Sequence, residues 1–289
     1  MGTESKHMNK RLLNLIVPAG AVVAALLLLQ MPAESQSPAG KAVKGDPTAP
    51  AGGSTNEDTL KAKAKGKGKG GPAGPIPKTF DGKLVDFSGI WNGGGPVGDI
   101  KQGLPPGETL PLLPAAKALM EKRLSQDDPE ANCLPTGVPR IAPYPWRIVQ
   151  TPTHVFFLFE GNIHTYRQIF MDGRKFPKDE DIDPTWFGYS IGRIEGNTLI
   201  VETKGYNDKF WFDFLGTPHT ELMTTVERYT RTDYGNLTVE TTITDPGAYS
   251  KPFTIKFQAQ LRPGDELMEY ICQENNQDVS HIKGPASLE

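Results

Sequence analysis

An imidazole beside a carboxylate can move a proton near neutral pH, and this sequence offers such a set in His219 with Glu227 or Glu160. Asp213 lies shortly before His219, in the run Phe210-Trp211-Phe212-Asp213-Phe214. Four aromatics in five residues must pack, bind a ligand or meet a membrane, because leaving them in water is costly. Phe210, Trp211 and Phe214 are therefore the expected apolar contacts of a ligand. Its polar end would meet Arg228, Arg167 and Glu269, charged residues that fall inside expected strands. Glu227 and Arg228 are adjacent, so a strand turns them to opposite faces and one of them enters whatever the strand encloses. Plainer readings stand beside these. His219 follows Pro218 and can simply fix a turn, and mid-strand charges can pair with one another as structural networks.

A metal centre is not expected. His154 and Glu160 are six apart on one expected strand, about 20 Å at the strand rise, and His164 opens the next. The sequence holds no phosphate-binding loop, dinucleotide fingerprint, nucleophile elbow or zinc-protease helix, so no cofactor is expected.

The elements that must position these residues are mostly strands. Residues 86–91 form a short strand ended by three glycines and Pro96. Residues 112–124 carry Leu112, Ala116, Leu119, Met120 and Leu124 at helical spacing and predict the one helix. Residues 133–140 read as a Pro-pinned wrap. From 147 onward the pattern is β: strands are expected at 147–150, 155–160, 164–171, 189–194, 198–203, 220–231, 237–244, 253–261 and 267–274, with Glu195-Gly196-Asn197 as a hairpin turn. No helical segments intervene, which argues against parallel βαβ units. Eight or nine sequential antiparallel strands close most naturally into a barrel, since closure removes exposed edges. Neither face of the strands at 198–203 and 220–231 is cleanly apolar, so a partly polar lumen compatible with a ligand cavity is expected.

The two ends of the chain are of different character. Residues 1–8 read as a cloning leader and 288–289 as a tag scar. Residues 9–39 form a basic then apolar export signal, either cleaved or kept as a single-span anchor. Residues 40–79 are a Lys/Gly/Ala/Pro-rich linker, expected to be disordered, and residues 80–287 a single β-barrel domain. The linker is a solvated spacer or a weak contact for acidic membrane or envelope surface. Periplasmic or secreted location follows from the signal. The formal charge is −3, and because residues 1–79 hold more basic than acidic groups, the body is more acidic than that. A body so charged is a poor nucleic-acid binder. The only cysteines, Cys133 and Cys272, are expected to pair after export.

Gly89-Ile90-Trp91 on the first expected strand resembles the glycine-x-tryptophan signature of lipocalins and other calycins, whose tryptophan closes the barrel bottom. A broader resemblance spans about residues 85–280. Its pieces include Cys133 to Arg140, Met171-Asp172-Gly173-Arg174, Pro184-Thr185-Trp186-Phe187-Gly188-Tyr189-Ser190-Ile191-Gly192, Glu195-Gly196-Asn197-Thr198-Leu199, Glu227-Arg228 and Cys272-Gln273-Glu274-Asn275. These are similar to a large family of exported, mostly hypothetical bacterial proteins. That family has His at the position of Tyr189, Trp at that of Ile194 and Asp at that of Asn197.

The expectation is thus a lipocalin-like (calycin-like) antiparallel β-barrel with one short packed helix and a Pro/Gly-rich N-terminal wrap. Its expected function is binding of a small amphipathic molecule. Alternatives are a cofactor-independent lyase, isomerase or hydrolase using His219 with Glu227 or Glu160, and a structural cell-envelope protein.

Overall fold

The structure, a computed structural model, describes residues 70–93, 95–140, 144–161, 165–274, 284 and 286. The expected leader, export signal, most of the linker, His164 and the terminal scar lie outside the described residues.

Among the described residues, nine strands form a closed barrel in sequence order: β1 (Gly89–Gly93), β2 (Trp146–Gln150), β3 (His154–Phe159), β4 (Tyr166–Phe170), β5 (Tyr189–Glu195), β6 (Thr198–Lys204), β7 (Thr224–Arg231), β8 (Asn236–Thr244) and β9 (Phe253–Leu261). The ring is closed by β1, which pairs with both β2 and β9. Among the described residues one short α-helix, α1 (Pro114–Met120), lies outside the strands.

The barrel is not wholly antiparallel, and the strand count explains why. Every antiparallel pair reverses direction, so a closed ring can contain only an even number of them. Nine neighbour pairs therefore require at least one parallel pair. That pair is β4 with β5, joined only at Ile169↔Ser190 and Phe170↔Ile191. The connection at 171–188 carries the chain back outside the wall so that β5 can start in the direction of β4.

Strand alternation sets the interior. Along β7, Thr225, Glu227, Tyr229 and Arg231 are buried while Val226 and Arg228 are exposed; β8 and β9 show the same period. Trp91, Trp146, Phe157 and Tyr229 fill much of the centre, with Trp146 stacked 5.4 Å from Phe157 and 6.5 Å from Trp91, centroid to centroid. At the β1-start end, the Arg231 guanidinium lies 4.9 Å over the Trp91 ring and bonds the carbonyls of Asp86 and Tyr234. Trp91 donates its indole N–H to Phe87 O at 3.0 Å. The tryptophan of the calycin-like signature thus closes its end of the barrel together with an arginine.

Three expected elements differ from what is observed. No strand forms at 267–274: β1 already pairs with β9, so no free edge remains, and the segment runs irregularly after a turn at Pro263 and Gly264. It is held instead by Met268 N–H donating to Glu160 at 3.0 Å and by the Cys133–Cys272 disulfide. The helix is shorter than 112–124 because Leu112 is spent on a bridge to Tyr249 and Pro114 takes the first helical turn, where its missing N–H costs nothing. β7 begins at Thr224 rather than Thr220, since Thr220 bonds the Asp245 carboxylate through both its N–H and its hydroxyl.

Residues ahead of 80 pack on the barrel. Gly71 N–H donates to the Asn236 side chain, Tyr234 N–H donates to Gly74 O, Lys78 bridges Val85, and Ile76 packs on the core. The last part of the expected linker is therefore laid against the β7–β8 turn.

Candidate functional site

Of the adjacent pair Glu227 and Arg228, it is Glu227 that enters the barrel. There its carboxylate receives both terminal nitrogens of Arg167 on β4, at 3.0 and 2.5 Å, and the Tyr229 hydroxyl at 2.7 Å. Arg167 also donates to Ser190 at 3.3 Å and to Thr203 at 2.8 Å, and Thr225 meets Tyr206 Oη at 2.8 Å. All of these residues are buried. Burial disfavours the Arg167 charge, but the adjacent Glu227 outweighs it and holds the guanidinium protonated. Burial, then the Glu227 charge, raises Tyr229 well above the ordinary phenol range. The interior polar set is therefore an ion pair with its hydrogen-bonding capacity largely spent.

His219 is placed elsewhere. Its ring lies 3.9 Å from Phe210 and 5.1 Å from Phe212, and burial lowers its pKa to about 4. Its Nδ1 lies 3.4 Å from Thr220 O, and it shares no hydrogen-bond partner with Glu227. Glu160 lies in a third place, accepting the Met268 N–H. The three expected acid–base residues are thus distributed over three separate environments.

The aromatic loop is packed. Phe210, Trp211 and Phe212 are buried, and the loop folds around Asp213, whose carboxylate accepts the N–H groups of Ile100 and Thr217 and the Thr217 hydroxyl. Arg123 covers Trp211 at 4.9 Å and Arg140 covers the half-exposed Phe214 at 4.5 Å. Through Phe212, Tyr249 and Phe253 the loop caps the end of the barrel where β9 begins. It is a packed plug where the sequence suggested contacts for a ligand. Arg228 faces outward and Glu269 is exposed on the irregular tail, so neither reaches the interior.

A concave site lies at the parallel seam. A cleft of about 530 Å³ opens between β4 and the chain leading into β5, with Tyr166, Phe170, Trp186 and Tyr189 among its walls. Arg167, Gln168 and Ser190 supply polar lining, so the cleft reaches the edge of the buried network. Outside it, Arg174 lies 3.7 Å over the Phe170 ring, donates to Tyr189 Oη at 3.2 Å and is paired with Asp172. Gly188 is required at the lip: its φ is +63°, and a Cβ there would stand 2.7 Å from Lys204 O. Arg167 is the one expected ligand residue that lines this cleft. Tyr189 also lines it, at the position where the resembling family has His. Tyr166 and Trp186 escaped the sequence reading because nothing in local pattern marks a gap between two strands; the clue was the unusually long connection before β5.

Among the described residues, no cluster of His, Cys, Asp or Glu could hold a metal ion, and no helix is long and apolar enough to cross a membrane. No family model matches the chain, and no curated protein matches it. A solved structure, that of a mutant of the fluorescent protein UnaG, aligns over 62% of this chain and 97% of that chain with 12% identity and a TM-score of 0.28.

Proposed function

We propose that this chain is an exported binding protein whose ligand, an amphipathic molecule, sits in the cleft at the β4–β5 seam. The cleft itself carries the reading: about 530 Å³, aromatic walls and a few convergent polar groups are the ordinary makings of a small-molecule site. The apolar part of the ligand stacks on Tyr166, Trp186 and Tyr189, and the polar part turns towards Gln168 and Ser190. Export is supported by the Cys133–Cys272 disulfide, since such bonds persist in oxidising compartments. The acid–base alternative lacks comparable support, because Glu227 is committed to Arg167 and Tyr229 while His219 lies between phenyl rings. Titration with the amphipathic dye anilinonaphthalene sulfonate tests the reading. Trp186→Ala should weaken its binding by about 1 to 3 kcal/mol, the value of a lost aromatic contact, with the circular dichroism of the barrel retained. Equal affinity in the variant would sink the proposal.

A further inference from the structure

The cleft lies where an all-antiparallel ring of this size lacks one strand. With β4 and β5 parallel, a strand placed between them and running against both would give ten strands and antiparallel pairing throughout. The main chain on both lips fits such a guest. Phe159 N–H donates to Thr165 O and Met171 N–H donates to Thr153 O, so the odd-numbered residues of β4 and its flanks turn their backbone groups to β3. By antiparallel alternation, Tyr166 and Gln168 turn theirs towards the seam. Pairing with β5 begins only at Ile169, so Tyr166 faces the cleft with no strand beside it. On the opposite lip, Trp186, Phe187 and Gly188 make no main-chain hydrogen bond among the described residues.

We propose that the ligand of this cleft is an extended peptide segment that adds a strand between β4 and β5, antiparallel to both. This rests on the cleft being the binding site and names what it takes. Only a chain with donors and acceptors along both edges answers two unpaired backbones at once. The bridge Ile169↔Ser190 engages the carbonyl of Gln168, so the unpaired seam groups of β4 are the N–H and C=O of Tyr166 and the N–H of Gln168, a stretch of about 7 Å at the strand rise that sets the paired length at about three residues. Side chains of the guest alternate between two surroundings. Those turned outward lie among Tyr166, Phe170 and Tyr189 and are apolar or aromatic; those turned inward meet Arg167 and Ser190 and are small and polar.

The probe is a blocked hexapeptide alternating tyrosine with serine, compared by calorimetry with the same peptide N-methylated at every second main-chain nitrogen. The unmodified peptide should bind, and N-methylation of the edge that faces β4 should weaken it at least tenfold. Tyr166→Pro removes only a seam-facing N–H, leaving the β3 ladder intact, and should cost tenfold or more beyond the effect of Tyr166→Ala, which keeps that N–H. Thermal melting checks that both variants fold. Equal binding of methylated and unmethylated peptides, or equal effects of the proline and alanine variants, overturns the strand-addition proposal. Dye binding that depends on Trp186 without any peptide binding overturns it too, while leaving the cleft as the ligand site; failure of both probes overturns both.

Discussion

Arg167 and Glu227 face each other across the interior of the barrel from strands three places apart, each with a side chain only 1% exposed. The geometry is bidentate, the arrangement in which guanidinium and carboxylate bind most strongly. Removing one partner leaves the other charged and enclosed. Arg167→Met alone should therefore destabilise the fold by about 3 to 5 kcal/mol in urea unfolding, whereas Arg167→Met with Glu227→Leu should recover most of that loss. A double variant as unstable as the single one would show that the pair, and not the avoidance of a lone charge, holds the barrel.

His219 gives stability a pH dependence. Its folded pKa, lowered to about 4 by burial, lies below the ordinary value of 6.5, so the unfolded chain binds the extra proton between those values. The contribution is complete above pH 6.5 and is lost as pH falls towards 4, amounting to about 3 kcal/mol. The urea midpoint of the wild-type protein should drop from pH 7 to pH 4.5 more steeply than that of His219→Phe; parallel curves would refute the assignment. Asp213 and Glu130, both raised by burial, act in the opposite direction in either protein, so the comparison between variants isolates the imidazole.

Truncation measures what the N-terminal approach contributes. A chain starting at Gly70 should keep the contacts of Gly71, Gly74 and Ile76 with the β7–β8 turn and the core; one starting at Pro77 loses them and should melt several degrees lower. Identical melting temperatures would mean that these contacts contribute nothing.

Reduction of Cys133–Cys272 should lower stability by about 4 to 5 kcal/mol if the entropy of a loop of 139 residues dominates. Unfolding with and without dithiothreitol measures it, and a loss below about 1 kcal/mol would place the constraint elsewhere.

How much was legible before any coordinates depends on the range over which each feature is decided. The β5–β6 hairpin follows from the residues around Gly196, whose φ of +60° is the turn geometry that glycine favours, and β9 spans the alternating run that the sequence marks. The disulfide follows from there being two cysteines. The seam between β4 and β5 could not be read in this way, because direction in a closed ring is a property of all nine strands together. The failed strand at 267–274 has the same origin: its residues alternate well enough, but the edge it needed is occupied by β1. For the site, alternation placed one of Glu227 and Arg228 inside without saying which. The aromatic loop was recognised as needing burial, yet burial against Asp213, Arg123 and Tyr249 made it a plug instead of a ligand surface.

The disulfide also divides the barrel into two unequal kinds of chain. The covalent circuit from Cys133 to Cys272 contains β2 through β9, and β1 lies outside it. Eight strands thus lie within one covalently closed loop, while the ninth is a key inserted between its two ends through pairings of three residues on each side. Withdrawing that key leaves an oxidised sheet with two bare edges, β2 and β9, each matched to the same short segment. Any second copy whose own key has been withdrawn offers that segment equally well, so the closing step is a stage at which two copies of this chain could trade parts.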